Sequence, residues 1–467
     1  MTLPRAVGGT GPALADPVAS LAAIASRDHC DAARDPAVIR RRSSASARAS
    51  FGQHRLWFMQ RLEPGSATYN VPLAVRLTGG LDLTALQRAV DQVVARHEIL
   101  RTCLVDRAGV PEQVVLDDCR VGLEVRELPA PGAGEHLAAL AAEVAGRPFD
   151  LSAAPLMRVV VARIGLAEHV LIVNMHHAIT DGWSFEILAR ELSACYGAFA
   201  AGTVPALAEL PIQYGDFAEW QRDALEAGRW ADQREFWRGE LAGWPLELDL
   251  PTDRPRPPVR SSGGASVRFQ LPAATTARVR GVARELGGTV HMVLMTAFQA
   301  LLSELSGQER FTVGTAVAGR GPAAVHDLIG FFANTLPVRA DCSGSPAFAE
   351  LFTRVRRNLL RAYAHQDLPL DQIVQAVRPR RDPGRTPLFQ AIITYGADPL
   401  SHLNLTGLTA DPYSVLGNTA QCDLNLQVLD VGKSFEGIVQ YSTDLFDPST
   451  ADDIVSAFVR LVERHAS

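Results

Sequence analysis

The sequence predicts an α/β fold in two halves of similar size and element content. Three observations carry this. Segments with helical apolar spacing alternate with short apolar runs of strand length. A proline-rich stretch at residues 250–258 (LPTDRPRPP) interrupts that alternation, since prolines bar both helix and ladder. Beyond it the same alternation resumes, without a clean sequence repeat. The 467 residues, 47% hydrophobic and 21% charged, have ample apolar material to bury and are not intrinsically disordered over their length.

Residues 1–49 are rich in Ala, Ser, Arg and Gly and lack sustained periodicity. They read as a flexible tail or a docking segment, with one short helix starting at Asp16-Pro17 and continuing through Val18, Leu21 and Ile24. Leu83, Leu86, Val90, Val93 and His97 recur at helical spacing after Asp82, a good cap. Residues 170–175 read as a buried strand ending in His176-His177. Ile187, Leu188, Leu192, Tyr196 and Phe199 then mark an amphipathic helix that closes near Gly202. Residues 214–220 read as the start of another helix. After the connector, residues 290–305 read as a helix and 310–317 as a strand. Phe348, Leu351, Val355, Leu359 and Tyr363 form one helix face. Residues 388–395 and 435–442 read as strands, and Ile454, Phe458 and Leu461 as a last helix after Ser449 and Thr450.

Composition excludes several classes of function. The net charge of −6 gives no global basic field for nucleic acid or an anionic membrane. The longest apolar runs are far too short to span a bilayer, and the N-terminus lacks a basic region followed by an apolar stretch. The six cysteines (Cys30, Cys103, Cys119, Cys195, Cys342 and Cys422) show no CxxC or framework spacing, as expected of free thiols in a reduced, cytoplasmic protein.

The segment richest in chemistry is 175–184, MHHAITDGWS. On a strand end, adjacent residues face opposite ways, so only one of His176 and His177 projects into a given cleft. Asp181 follows across a turn, placed to pair with an arginine that holds the loop. Gly182 permits an unusual backbone angle and a close approach by substrate. A metal site is not expected, because adjacent histidines are poorly spaced as ligands and no HExxH or CxxC appears. G-x-S-x-G and the phosphate-binding loop G-x-x-x-x-G-K-[ST] are also missing. The plainer reading of the pair is two histidines satisfied in a core turn.

The segment does not stand alone. Residues 50–58 (SFGQHRLWF, continuing as LEPGSATYNVP), 96–102 (RHEILRT), 214–220 (YGDFAEW), 314–320 (GTAVAGR), 329–335 (IGFFANT), 365–369 (HQDLP) and 381–388 (RDPGRTPL) accompany it in order. Together with HHxxxDG they resemble the motifs of the condensation domains of nonribosomal peptide synthetases, from about residue 50 to the C-terminus. Most of these stretches read as fold-determining rather than catalytic.

The resemblance implies two chloramphenicol-acetyltransferase-like lobes in a V-shaped pseudo-dimer, at residues 50–225 and 226–467, with the active site between them. It implies an acyltransferase that passes an acyl or aminoacyl thioester from a donor peptidyl carrier protein to an acceptor amine, forming an amide. The acceptor is a second carrier protein or a small soluble molecule. No bound cofactor or metal is implied; the substrates ride on 4'-phosphopantetheine. Carried over by position, His177 faces the reacting centre as base or positioning group. Gly182 offers a backbone N–H to the thioester carbonyl, and His176 packs on the far side. Asp181 pairs with Arg55 as a structural unit, while Asn334, Trp183 and Ser184 are candidates for lining the cleft. Heterocyclisation domains lack the histidines and epimerisation domains usually lack HQDxP, so the motifs look like the subtype that joins L-configured donors. A monomer without nucleic-acid or membrane partners is expected. Neither an adenylation signature nor a carrier-protein serine motif is present, as in a free-standing enzyme or an excised domain. Ester formation with a hydroxyl acceptor, and a catalytically silent platform that recruits a tailoring enzyme, are the alternatives.

Overall fold

The computed structural model describes residues 39–129 and 132–465. The short helix expected at Asp16 lies outside the described residues. Residues 39–49, which the sequence left to the tail, are built into the fold. Ile39, Ala47 and Ala49 are buried, and Arg42 pairs with Asp216 at 2.9 Å and with Glu98.

In chain order the elements are β1 (Ser46–Arg48), α1 (Phe51–Leu62), β2 (Asn70–Gly79), α2 (Leu83–Arg96), β3 (Thr102–Arg107), β4 (Val110–Val115), β5 (Leu123–Glu127), α3 (Ala133–Gly146), β6 (Met157–Gly165), β7 (Glu168–His176), α4 (Gly182–Ala200), α5 (Tyr214–Glu226) and α6 (Ala231–Glu240). Next come β8 (Gly264–Leu271), α7 (Ala273–Glu285), α8 (Val290–Ser306), β9 (Arg310–Val317), β10 (Asn334–Asp341), α9 (Phe348–Tyr363), α10 (Leu370–Val377), β11 (Ala391–Ala397), β12 (Leu408–Tyr413), β13 (Leu424–Asp430), β14 (Phe435–Ser442) and α11 (Pro448–His465). The connector at 250–258 forms neither helix nor strand. The strand expected at 388–395 begins later, because Leu388 turns the chain at φ +70°.

Three sheets result, in the orders β1-β4-β3, β12-β2-β7-β6-β5 and β10-β9-β11-β13-β14-β8. β7 lies between β2 and β6, antiparallel to both. Its near-continuous apolar run has a direct cause: both faces are covered. Leu171, Val173 and Met175 join the core that includes residues of α2 and α4, whereas Val170 and Ile172 join Leu137, Leu140 and Val144 of α3. A strand buried on both faces needs apolar residues at every position.

Two segments from beyond residue 300 reach into the core around β7. Val325, Leu328, Ile329, Phe331 and Phe332 are buried there, as are Leu403 and Leu405. β12 then adds an antiparallel edge to β2. No single described helix is long and apolar enough to cross a membrane.

Candidate active site

The end of β7 separates the two histidines: His176 is the last strand residue and His177 the first of the turn that follows. His176, the last residue of β7, falls on the α3 side with Val170 and Ile172. It is 3% exposed, lies edge-on to Phe149, and its Nδ1 accepts the Ala178 N–H at 3.1 Å. Burial, with a smaller contribution from His177, pushes its pKa down to about 3. It is therefore a neutral structural histidine at physiological pH.

His177 begins the 3-10 turn that follows. Its backbone N–H donates to the Tyr69 carbonyl at 2.7 Å, and its Nδ1 stands 2.7 Å from the Thr180 carbonyl oxygen. A carbonyl only accepts, so Nδ1 carries the proton and Nε2 holds the lone pair. The ring packs at 4.6 Å on Phe331. Burial lowers its pKa, and the Arg55 charge adds to this; the Thr180 hydrogen bond and the Asp181 charge act in the opposite sense. The arrangement delivers a neutral imidazole in a fixed tautomer.

Asp181 caps α4 by accepting from the Ser184 N–H at 2.8 Å. The same oxygen accepts from Ser184 Oγ at 2.7 Å and from Arg320 at 3.0 Å, while the other oxygen accepts from the Phe332 N–H at 3.0 Å. The pairing of Asp181 with Arg55 is thus corrected: the partner is Arg320, from the GTAVAGR stretch. Arg320 is bound in turn by the carbonyls of Val325 and Leu328, both at 2.7 Å, and stacks at 4.1 Å on Phe332. Arg55 makes no hydrogen bond or ion pair to any described residue and instead lines a narrow cleft.

Gly182 opens α4 without a positive φ, so the expected unusual backbone angle is not what glycine supplies here. A Cβ at this position would meet no atom within 4 Å. What glycine supplies is open space over the first turn, whose N–H groups lack intrahelical acceptors and carry the positive end of the helix dipole. Ser184 is corrected from cleft-lining to structural. It is buried, with its hydroxyl donating to Asp181 and accepting the Gly330 N–H at 3.0 Å. The Trp183 indole N–H donates to the His326 carbonyl at 3.1 Å, tying it to the segment that carries Arg320.

Asn334 does line the narrow cleft, but its amide is fully committed. It donates to the carbonyls of Gln366 and Leu368 and accepts from the N–H groups of Thr335 and Leu370. It ties IGFFANT to HQDLP.

Tyr214, read from the sequence only as a helix start, also belongs to the site. Its hydroxyl donates to the Phe331 carbonyl and lies 2.8 Å from Ser50 Oγ, fixing the ring that packs on His177. The opening SFGQ is a capping box, in which Ser50 and Gln53 satisfy each other's backbone N–H groups. Gln53 also donates to the Ala178 carbonyl, next to the histidine turn. A cavity of about 1790 Å³ lies among Trp230, Arg234, Glu247, Val374 and Arg380, and His177 does not line it. The chemistry therefore locates the site better than cavity size does. Among the described residues, no group of three or more His, Cys, Asp or Glu side chains could hold a metal ion.

The chain belongs to the condensation domain family, whose model matches residues 44–467. It is 39% identical over 404 residues to malpibaldin synthetase of Mortierella alpina, covering 86% of this chain and 7% of that protein. It is 38% identical over 425 residues to phosphinothricin tripeptide synthetase PhsC of Streptomyces viridochromogenes, covering 90% of this chain and 39% of that one. The chain thus spans only a minor part of the length of these relatives. Among solved structures, the X-domain in its complex with OxyB from teicoplanin biosynthesis superposes with a TM-score of 0.81 at 28% identity, covering 93% of this chain and 96% of the X-domain. The mixed α/β fold expected from the sequence is the one the X-domain has.

Proposed function

We propose that this chain is a condensation catalyst. It transfers an acyl or aminoacyl group from the phosphopantetheine thioester of a donor peptidyl carrier protein to an acceptor amine, on a second carrier or in solution. The Nε2 of His177, which no described residue hydrogen-bonds, close in sequence to the open first turn of α4, carries this reading. The amine nitrogen attacks the thioester carbonyl, forming the C–N bond. Nε2 takes or orients the proton that the nitrogen loses, and the C–S bond breaks to release the donor thiol, which recovers a proton. A free α-amine has a pKa of about 7.7–8.0, so a useful fraction is neutral at pH 7 and positioning supplies much of the effect. The Gly182 N–H and the α4 dipole favour the oxyanion that develops on the carbonyl.

In this reading the halves at 50–225 and 226–467 act as two lobes around the site. The motif pattern favours an L-configured donor.

A non-catalytic platform for a partner enzyme is the second reading, prompted by the X-domain's complex with OxyB. Such a platform has no use for the His177 tautomer. The test loads a donor carrier with an acyl group, offers amine and hydroxyl acceptors, and follows product by mass spectrometry. Amide formation supports the first reading. No product with any acceptor, combined with tight binding of a partner enzyme, supports the second.

A further inference from the structure

The narrow cleft beside Phe331 holds two charged side chains, Arg55 and Asp371, that make no hydrogen bond or ion pair with any described residue. It measures about 50 Å³, and its walls include Gly52, Arg55, Phe331, Asn334 and Asp371. Asp371 lies in the first turn of α10. Its carboxylate makes no hydrogen bond and no ion pair with any described residue. The donors around it are committed elsewhere: the Leu370 N–H goes to Asn334 and the Gln372 N–H to the Pro369 carbonyl. Arg222 lies within electrostatic range, yet its guanidinium donates to the carbonyls of Ala49 and Ser50. His54 packs against Trp57. Arg55 also acts on Asp371 through space without touching it.

Polar groups removed from water are almost always hydrogen-bonded, and a carboxylate left without donors carries a desolvation cost. Burial accordingly raises the Asp371 pKa, while the Arg55, His54 and Arg222 charges oppose that rise. Burial lowers the His54 pKa below its usual 6.5, so the cations near Asp371 are Arg55 and Arg222; neither closes on it, and the carboxylate remains available to an incoming donor. Phe331 connects this cleft to the reaction centre, since it lines the cleft and packs on the His177 ring.

We propose that Asp371 is the recognition residue for the acceptor, its carboxylate accepting hydrogen bonds from the acceptor's ammonium group as that group approaches His177. This rests on the reading that the chain condenses an acyl group with an amine. A charge-assisted hydrogen bond to a partly desolvated carboxylate discriminates strongly against a ligand that lacks the nitrogen. The narrow cleft admits the small head of such a substrate.

The test measures binding, by calorimetry, of two non-hydrolysable probes: alanyl-pantetheine amide and its des-amino counterpart, propionyl-pantetheine amide. The full chain is expected to prefer the amine probe by roughly tenfold or more, and Asp371→Asn to lose that preference while keeping its affinity for the propionyl probe. Equal affinities in the unaltered protein, or an undiminished preference in Asp371→Asn, overturn the proposal. Should Asp371→Asn fail to fold, Asp371→Glu carries the test. It is expected to raise the acceptor KM several-fold with the donor KM unchanged, and an unchanged acceptor KM refutes the assignment. Amine-selective binding without any amide product would refute the catalytic reading and leave Asp371 as an ammonium site. Amide formation with no response to Asp371→Asn would do the reverse.

Discussion

Arg320 stands 3.0 Å from Asp181, and both side chains are 2% exposed. This contact fastens the turn after His177 to a segment 139 residues further along the chain. Removing one partner of a buried ion pair typically costs about 3–5 kcal/mol, because it leaves the other charge uncompensated. Arg320→Ala and Asp181→Ala are each expected to lower the melting temperature strongly, and the double variant to lose less than the sum of the two. Arg55→Ala, which breaks no ion pair, is expected to leave the melting temperature nearly unchanged. Thermal denaturation of the four proteins decides this, and additive losses would refute the coupling.

His177→Ala is expected to reduce condensation by on the order of 10²–10⁴, the usual range for a positioned acid-base group, with the melting temperature nearly retained. Near-normal turnover in a folded variant would remove His177 from the reaction.

Burial gives two other histidines a measurable acid dependence. The folded pKa of His176 is pushed down to about 3 and that of His291 to about 4, from 6.5. The unfolded chain therefore binds more protons below about pH 6.5, and stability falls as pH drops from there toward the folded values. His176→Asn retains an acceptor for the Ala178 N–H and titrates nothing. It is expected to flatten the stability–pH curve between about pH 6 and 4 in urea titrations. An identical slope would show that His176 is not buried neutral. His177 is shifted in the same direction, so the acid limb of kcat/KM should lie below pH 6.5. A limb centred above about pH 7 would contradict the neutral, desolvated imidazole.

Gln299 is fully buried in α8, and neither its amide nitrogen nor its amide oxygen has a partner among the described residues. Methionine has nearly the same volume and no polar group to desolvate, so Gln299→Met is expected to stabilise the protein by about 1 kcal/mol. A lower urea midpoint would mean that the amide is satisfied in solution.

Much of the local structure is legible along the chain. Asp82 accepts from the N–H groups of Thr84 and Ala85 and starts α2 where the spacing begins. The strands Arg310–Val317 and Phe435–Ser442 and the helix Phe348–Tyr363 fall where the apolar pattern puts them. The expectation that only one of His176 and His177 faces the site comes from strand alternation, but the structure separates them by ending β7 at His176 and starting a turn at His177. The sequence also carries the signal for Arg320, as the last residue of GTAVAGR, but contains nothing to say which carboxylate it meets. Ser184 and Asn334 read as open to the cleft because a polar residue near a motif shows its chemistry but not its partners. Phe331 and Tyr214 give no catalytic signal, since an aromatic residue in a motif ordinarily means packing.

The sequence alone determined the alternation of elements, the caps that start them and the residue types around the reacting centre. All of these depend on neighbours within a few positions. The tertiary structure decided which charges pair, which amides are spent and which carboxylate stays open. Asp181 had several arginines to choose from, and the fold gave it Arg320 by burying Val325, Leu328, Ile329, Phe331 and Phe332 in the core that also takes residues of α4. It left Arg55 and Asp371 on the walls of one cleft without contact between them. Partner choice for a buried charge depends on which long-range packing excludes water around it, and no local pattern encodes that.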